Sequence, residues 1–330
     1  MNCKNFFLVI ILVFGSFTSY SQSNLLNAKT PSDIGKKNSA QLASDNDKPL
    51  AYGYVHDRDV LMGKTTWEII DLDERINFPL YYPIDTANIG SDRRSLFSVL
   101  LKGIKDGKIT EIYSDSYFNT KKTLKDMASS FTYIDTLQSG IDEMNSNGIE
   151  NYKSRVVPEI VKKDKKGKVI SVTPATTVAA SKVLDPQYIN KQDLTPGDVT
   201  GYKIKGFWYF DKRQGELKYR LLGLCPVAPE AKERNAENPD LIEMFWVYFP
   251  TVRDLLHDAK SFNNRNSAMP IDFDHILNSR RFNAVIYQEE NVQGDRTIEA
   301  YMKDNSQMQL LESERIKDKI RDFEQDMWCY

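Results

Sequence analysis

The chain is short of the residues on which most recognisable chemistry depends. Glycine occurs 16 times in 330 residues, and neither a GxxxxGK[ST] loop nor a GxGxxG turn is present, so backbone cradles for phosphate are excluded at the level of motif. There is no GxSxG elbow and no HExxH helix. Histidine is limited to His56, His257 and His275, and cysteine to Cys3, Cys225 and Cys329. No CxxC pair and no zinc-type spacing can be built from them. Charge is balanced, at −2 overall, which removes the basic footprint expected of a nucleic-acid binder. No apolar run reaches the roughly 18 residues needed to span a bilayer as a helix.

The longest apolar run is Phe6–Phe14, "FFLVIILVF", preceded by Lys4 and followed by small residues at Ser19 and Ser21. A short positive region, an apolar core and a small-residue cleavage site make residues 1–21 a signal peptide, with the mature chain exported and soluble. Cys3 precedes the run and is therefore not a lipidation site. The two cysteines left after cleavage, Cys225 and Cys329, either pair in an oxidising compartment or stay as separate thiols.

What the chain does have is aromatics, 11% of residues with 17 Tyr and 16 Phe, a composition suited to half-buried contact surfaces. Residues 22–50, rich in Ser, Asn, Asp and Lys, read as a flexible or extended arm. Residues 51–135 read as a helical N-terminal part. Asp59 as cap and Asn77-Phe78-Pro79 as stop frame a helix over 59–76, with Leu61, Met62, Thr65, Ile69, Leu72 and Ile76 on one stripe. On that wheel Trp67 and Ile70 point away from the core beside Asp71 and Glu74. Pro79 and Pro83 then hold Leu80, Tyr81 and Tyr82 extended. A second helix is expected over 91–107, capped by Ser91 or Asp92, buried through Leu96, Val99, Leu100 and Ile104, and ended by Gly107. A short strand, "ITEIYSDSYF", and a third helix through Leu124 and Met127 follow.

Residues 136–198 read as a linker with a Lys-rich hairpin over 159–173, whose turn, "DKKGK", is either a solvated turn or a basic patch for an acidic surface. Residues 199–305 read as a β-rich core with helices. Its main hairpin is "GYKIKGFWYFDKRQGELKYRLLGLCP", in which Tyr202, Ile204, Trp208 and Phe210 alternate on one face and Phe207 and Tyr209 make the other face apolar too. "IEMFWVYF" reads as a strand ended by Pro250, "TVRDLLHDAKSF" as a helix capped by Thr251, and "DFDHILNSRRFNAVIYQEE" as a short helix and a strand. Residues 306–330 form an amphipathic helix with Ile316, Ile320, Phe323 and Met327 at 4-3-4 spacing and i,i+3 ion pairs Glu314–Lys317 and Asp318–Arg321. The fold class is α+β: antiparallel hairpins, flanking helices, an extended N-terminal arm and a long C-terminal helix.

Three clusters carry ligand or acid–base chemistry. Asp71 and Glu74 on a helix face resemble a hydrolytic carboxylate pair, but Arg75 stands four residues after Asp71 in the order favoured for an ion pair. Asp272, Asp274 and His275 have metal-ligand chemistry, yet "PIDFDHIL" is better explained as loop, N-cap and helix start. His56 in "YVHDRD" precedes a helix. No catalytic, cofactor or metal residue is therefore expected. Two readings stay open beside a scaffold role: a carboxylate enzyme acting on glycan or peptidoglycan, and a periplasmic ligand-binding module.

"YVHDRDVLMGKTTWEIIDLDERINFPLYYP" resembles the block that marks the GldN family, also called PorN. "FWYFDKRQGELKYRLLGLCP", "FWVYFP" and "FDHILNSRRFNAVIYQEEN" are similar to its later blocks, in the same order, over about residues 50–303. The resemblance implies a non-enzymatic component of the type IX secretion system, in a periplasmic ring at the inner face of the outer membrane, needed for secretion and gliding. It implies as partners the outer-membrane lipoprotein GldK (PorK), the motor proteins GldL (PorL) and GldM (PorM), and further copies of the chain. The family has no catalytic residues to carry over. The expected interface residues, taken from the aromatic pattern, are Trp67, Ile70, Tyr81 and Tyr82, with Trp208 and Tyr209 second.

Overall fold

A computed structural model describes residues 48–85, 93–136, 155–157, 160–163, 169–173, 176–178, 189–234, 236, 239–263, 270–303 and 305–328. The expected signal peptide, most of the arm, the Lys-rich turn and Cys329 lie outside them. The described residues fall into two compact units. One draws on Met1–Thr123, Thr195–Pro229 and Leu241–Tyr330, the other on Leu124–Leu194 and Glu230–Asp240. The arrangement is α+β, as expected.

The larger unit is organised by an antiparallel sheet. Among the described residues it contains β1 (Val60–Asp71), β2 (Gly201–Asp211), β3 (Glu216–Pro229), β4 (Leu241–Glu243), β5 (Val247–Tyr248) and β6 (Val285–Glu289). The order is β4-β3-β2-β1-β6, with β5 also pairing with β3. The β2–β3 hairpin is the one the alternation predicts, and Gly215 takes the left-handed conformation its turn requires, φ +66°. Gly206 has a different reason to be glycine: a Cβ there would lie 2.1 Å from the Tyr219 hydroxyl oxygen, so the bare backbone makes room for that ring.

β1 is the main departure from the sequence reading. Residues 60–71 form a central strand between β2 and β6, not a helix, with Trp67 opposite Lys205 on one side and Gln288 on the other. The physical reason lies in the spacing. Leu61, Thr65 and Ile69 are four apart, and a spacing of four keeps residues on one face of a helix and also on one face of a strand. The stretch also carries Thr65, Thr66, Trp67, Ile69 and Ile70, which suit a pleated surface, and Gly63, which weakens a helix. Because both neighbours are present and both faces are covered, Thr66, Trp67, Glu68 and Ile70 are all buried. Residues 51–135 therefore begin with a strand, and the helices of this part, Leu96–Lys105 and Leu124–Phe131, come after it.

The segment after β1 is also corrected. Phe78–Tyr81 is a helical turn with Pro79 in its first positions, so Pro79 starts a turn rather than stopping a helix, consistent with its fixed φ and its missing donor. α1 (Leu96–Lys105) buries Leu96, Val99, Leu100 and Ile104 as predicted. Its cap is Ser95, whose Oγ accepts from Ser98 N at 3.3 Å, and Gly107 follows at φ +71°. "ITEIYSDSYF" is a loop rather than a strand. Tyr113 bridges to Trp246 and Lys121, and the Asp115 carboxylate accepts the backbone N–H groups of Tyr117, Asn119 and Thr120. α2 (Phe249–Asp258) starts two residues before Thr251, with Pro250 in its first turn. "IEMFWVYF" therefore divides into β4, a buried loop and β5. α3 (Phe273–Asn278) is capped by Asp272, whose Oδ1 accepts from His275 N at 2.6 Å, and the strand expected after it is β6.

Each sheet face has its own cover. On one side Trp67, Cys225 and Trp246 are buried together with Tyr113, Phe118 and Tyr287 packed against them. On the other, the C-terminal helix α4 (Ser306–Trp328) packs Ile316 and Ile320 on Ile286 and Ile298, beside Met62, Trp208 and Leu217. The expected pairs Glu314–Lys317 and Asp318–Arg321 both form along α4.

In the smaller unit, a helix over Leu124–Phe131 leads into Thr132–Thr136, which pairs antiparallel with Ile189–Asp193. Inside that pairing Arg155–Val157 pairs with Thr176–Val178, and inside that Ile160–Lys163 pairs with Val169–Thr173. The innermost pair is the hairpin expected over 159–173.

Candidate functional site

The six aromatic and aliphatic residues singled out by sequence do not form one surface. Trp67 is 1% exposed and Ile70 0%. Both are core residues of a central strand, and the expectation that they face outward fails because it rested on the helical wheel. Tyr209 is buried as well. Trp208 is half-buried under α4, its ring 4.8 Å from that of Tyr219. Only Tyr82 is well exposed, at 47%; Tyr81 is half-buried and donates from its hydroxyl to Gly197 O at 3.1 Å.

Tyr82 nevertheless belongs to a patch that sequence reasoning saw only in part. Ile76 and Phe78 beside it are exposed too, and the Tyr82 ring meets those of Phe78 at 5.4 Å and Tyr81 at 4.8 Å edge-on. The patch stands on a rigid base. Asn77, fully buried, donates to Asp71 O at 2.6 Å and Asn283 O at 3.1 Å and accepts from Asn283 N at 2.9 Å. Ser261 Oγ donates to Pro79 O at 2.5 Å. Such a cluster of ordered aromatic side chains fits a protein contact, since little side-chain entropy is left to lose.

The carboxylates once read as an acid–base pair have structural partners. Asp71 sits at the end of β1 and accepts from Asp73 N at 2.9 Å; Glu74 accepts from Asn283 Nδ2 at 2.7 Å. The premise of a shared helix face is gone, and with it the Asp71–Arg75 helical ion pair. The buried carboxylate of this strand is instead Glu68. It is held by two bonds from Arg280, at 2.6 and 3.1 Å, and the guanidinium lies against the rings of Tyr219 and Trp208 at 4.2 and 4.9 Å. Burial opposes the charge on Arg280, but Glu68 and Tyr219 outweigh it, and its pKa is raised. Sequence gave no hint of this pair, whose members are 212 positions apart.

The "DFDH" stretch assembles differently from its order. His257, not His275, joins Asp272 and Asp274, with ligand-capable atoms within 4.8 Å of one another. Their charges are already matched. Asp274 takes two bonds from Arg253 at 2.8 and 2.9 Å. Asp272 caps α3 and lies 3.6 Å from His257 Nδ1 and 3.8 Å from Lys260 Nζ. This is an ion-pair network that locks α2 to α3. His56 is exposed, its ring 5.5 Å from that of Tyr54. Cys225 is a buried free thiol, and burial pushes its pKa far up.

Among the described residues, no helix is long and apolar enough to cross a membrane. Curated proteins include no match to the chain. A family model described as "Gliding motility associated protein GldN" matches residues 55–329. That span takes in the whole sheet, both of its covers and the Tyr82 patch, and the chain belongs to the GldN family of gliding motility associated proteins.

Proposed function

We propose that the chain is a structural subunit of the periplasmic ring of the type IX secretion system, required for protein secretion across the outer membrane and for gliding. The observation that carries this reading is the family match over residues 55–329. The partners are the outer-membrane lipoprotein GldK, the motor proteins GldL and GldM, and further copies of the chain, at the inner face of the outer membrane. The role is mechanical, not enzymatic.

On this reading the contact with a partner uses the patch of Ile76, Phe78 and Tyr82, with the half-buried Tyr81 as a secondary position. Ile76 is 56% exposed and Phe78 37%, and exposed apolar groups of this kind, fixed by Asn77, are what an interface buries. The test is co-purification of the tagged full chain from detergent-solubilised envelopes, with imaging of the product. Recovery of the outer-membrane lipoprotein in a ring-sized particle is the expected result. Recovery of a free monomer with no lipoprotein overturns the reading.

A further inference from the structure

The extended segment Lys48–His56 lies on the larger unit without joining any strand or helix. Its contacts centre on Tyr52. The Tyr52 ring lies against two guanidinium groups, Arg253 at 4.1 Å and Arg220 at 4.6 Å, and its hydroxyl donates to Asn278 Oδ1 at 3.0 Å. The same arginines bind the backbone on either side of the ring: Arg253 Nη2 donates to Leu50 O at 2.7 Å and Arg220 Nη2 to Gly53 O at 3.2 Å. The flanking side chains remain in water, with Leu50 and Tyr54 both 80% exposed.

Two members of this clamp, Arg253 and Asn278, are fixed independently of the segment they hold. Arg253 is fixed by both oxygens of Asp274, and Asn278 donates to Asp274 Oδ1 at 2.7 Å. Arg253, Asp274 and Asn278 come from α2 and α3, so departure of the segment leaves that side of the site standing, while Arg220 projects from β3. A cavity of about 320 Å³ lies beside the segment, and Arg220, which lines it, has a buried Nε donor with no acceptor among the described residues. The site therefore holds more recognition capacity than its present occupant uses. The chemistry it reads is specific: an extended peptide with a tyrosine whose ring accepts two cations, and free carbonyls two residues before it and one after.

We propose that the Arg220–Arg253–Asn278 clamp is a peptide-docking site and that, in the assembled ring, it takes the Lys48–His56 segment of a neighbouring copy. The second copy rests on the ring reading above; the docking chemistry does not. A segment outside the sheet, held by side chains at Leu50, Tyr52 and Gly53, exchanges more readily than a strand within it, and a ring raises the local concentration of identical segments so that exchange between copies competes with self-docking. A neighbour's surface also covers the two large side chains, Leu50 and Tyr54, that one copy leaves in water. Residues 48–54 precede the span matched by the family model, so the family match is silent about this contact.

The experiment uses the full chain in two differently tagged populations, co-assembled, with a benzophenone amino acid in place of Tyr54. Irradiation is expected to give adducts joining the two tags, mapped by mass spectrometry to 209–220 or 253–278. Tyr52→Ala in the same chain should reduce them about tenfold. In parallel, a labelled peptide of residues 46–58 is titrated into the full Tyr52→Ala chain, whose clamp is vacated. It should bind, and its own Tyr52→Ala form should bind about tenfold more weakly. Adducts only within single chains, in a particle that is still oligomeric, overturn the exchange while the ring reading stands. A chain that is monomeric throughout overturns both. Equal binding of the two peptides overturns the docking site itself.

Discussion

Trp67→Ala separates the core assignment from the docking role that the sequence pattern suggested. Trp67 is 1% exposed in the middle of β1, packed with Cys225 and Trp246. The Lys205 ammonium sits 4.9 Å from its ring while donating to Ser116 O at 3.1 Å. Removing a buried tryptophan costs about 3–5 kcal/mol from lost transfer energy and the cavity left behind. Domains are stable by only about 5–15 kcal/mol, so the change removes at least about a fifth of the total. At about 2–4 °C per kcal/mol for a chain of this size, the melting temperature should fall by roughly 6–20 °C. Tyr82→Ala, on an exposed ring, should move it by no more than about 2 °C. Both variants are melted as purified chains by circular dichroism and then tested for co-purification. The reasoning is refuted if Trp67→Ala melts with the parent while its partners are lost, because the indole would then face a partner and not the core.

Glu68→Gln leaves the largely covered Arg280 side chain, 23% exposed, without its counter-charge and should cost up to about 3 kcal/mol in urea denaturation; adding Arg280→Met should recover part of it, and no loss in the single variant would show the pair to be dispensable. For Asp115, burial raises the carboxyl pKa, but the N–H groups of Asn119, Thr120 and Tyr117 and the Thr120 side chain outweigh it, and the net shift is downward. A carboxyl whose folded pKa lies below its unfolded value of about 3.9 stabilises above that value and loses the contribution as pH falls through the folded one. The Asp115 loop should therefore stay closed at pH 5, and its NMR titration should fall below the ordinary carboxylate range; a midpoint at or above about 4 contradicts the hydrogen-bond geometry. Cys225 should resist iodoacetamide in the native chain and label fully in urea, read by peptide mass spectrometry, because thiolate formation is suppressed by burial; native labelling at the unfolded rate would place the thiol at the surface.

Much of the fold was legible because local signals agreed with the tertiary result. The alternation of Tyr202, Ile204 and Phe210, with Gly215 in the turn, specifies the β2–β3 hairpin without help. The stripe of Leu96, Val99, Leu100 and Ile104, closed by Gly107, specifies α1. Asp272 ahead of an apolar turn specifies α3, and the 4-3-4 spacing of Ile316, Ile320 and Phe323 specifies α4. β1 was misread because its spacing fits both periods, and a residue's burial depends on which period the chain adopts. Trp67 and Ile70 moved from surface to core for that reason alone. The Tyr82 patch was half visible: Tyr81 and Tyr82 stood out, but Ile76 had been assigned to a core stripe.

The sequence alone determined the α+β class, the hairpins and helices just named, the absence of familiar catalytic motifs, and the family. These rest on patterns a few residues to a few tens of residues long, or on blocks in a fixed order. The tertiary structure decided what distant positions do to each other. It set Glu68 against Arg280, brought His257 rather than His275 to Asp272 and Asp274, and closed Arg220 and Arg253 around Tyr52. Each of these contacts joins groups whose sequence neighbours carry no trace of the partner. A charge or a ring is assigned its role by the side chain that meets it in space, and that meeting is decided only when the strands and helices that carry the two groups are packed together.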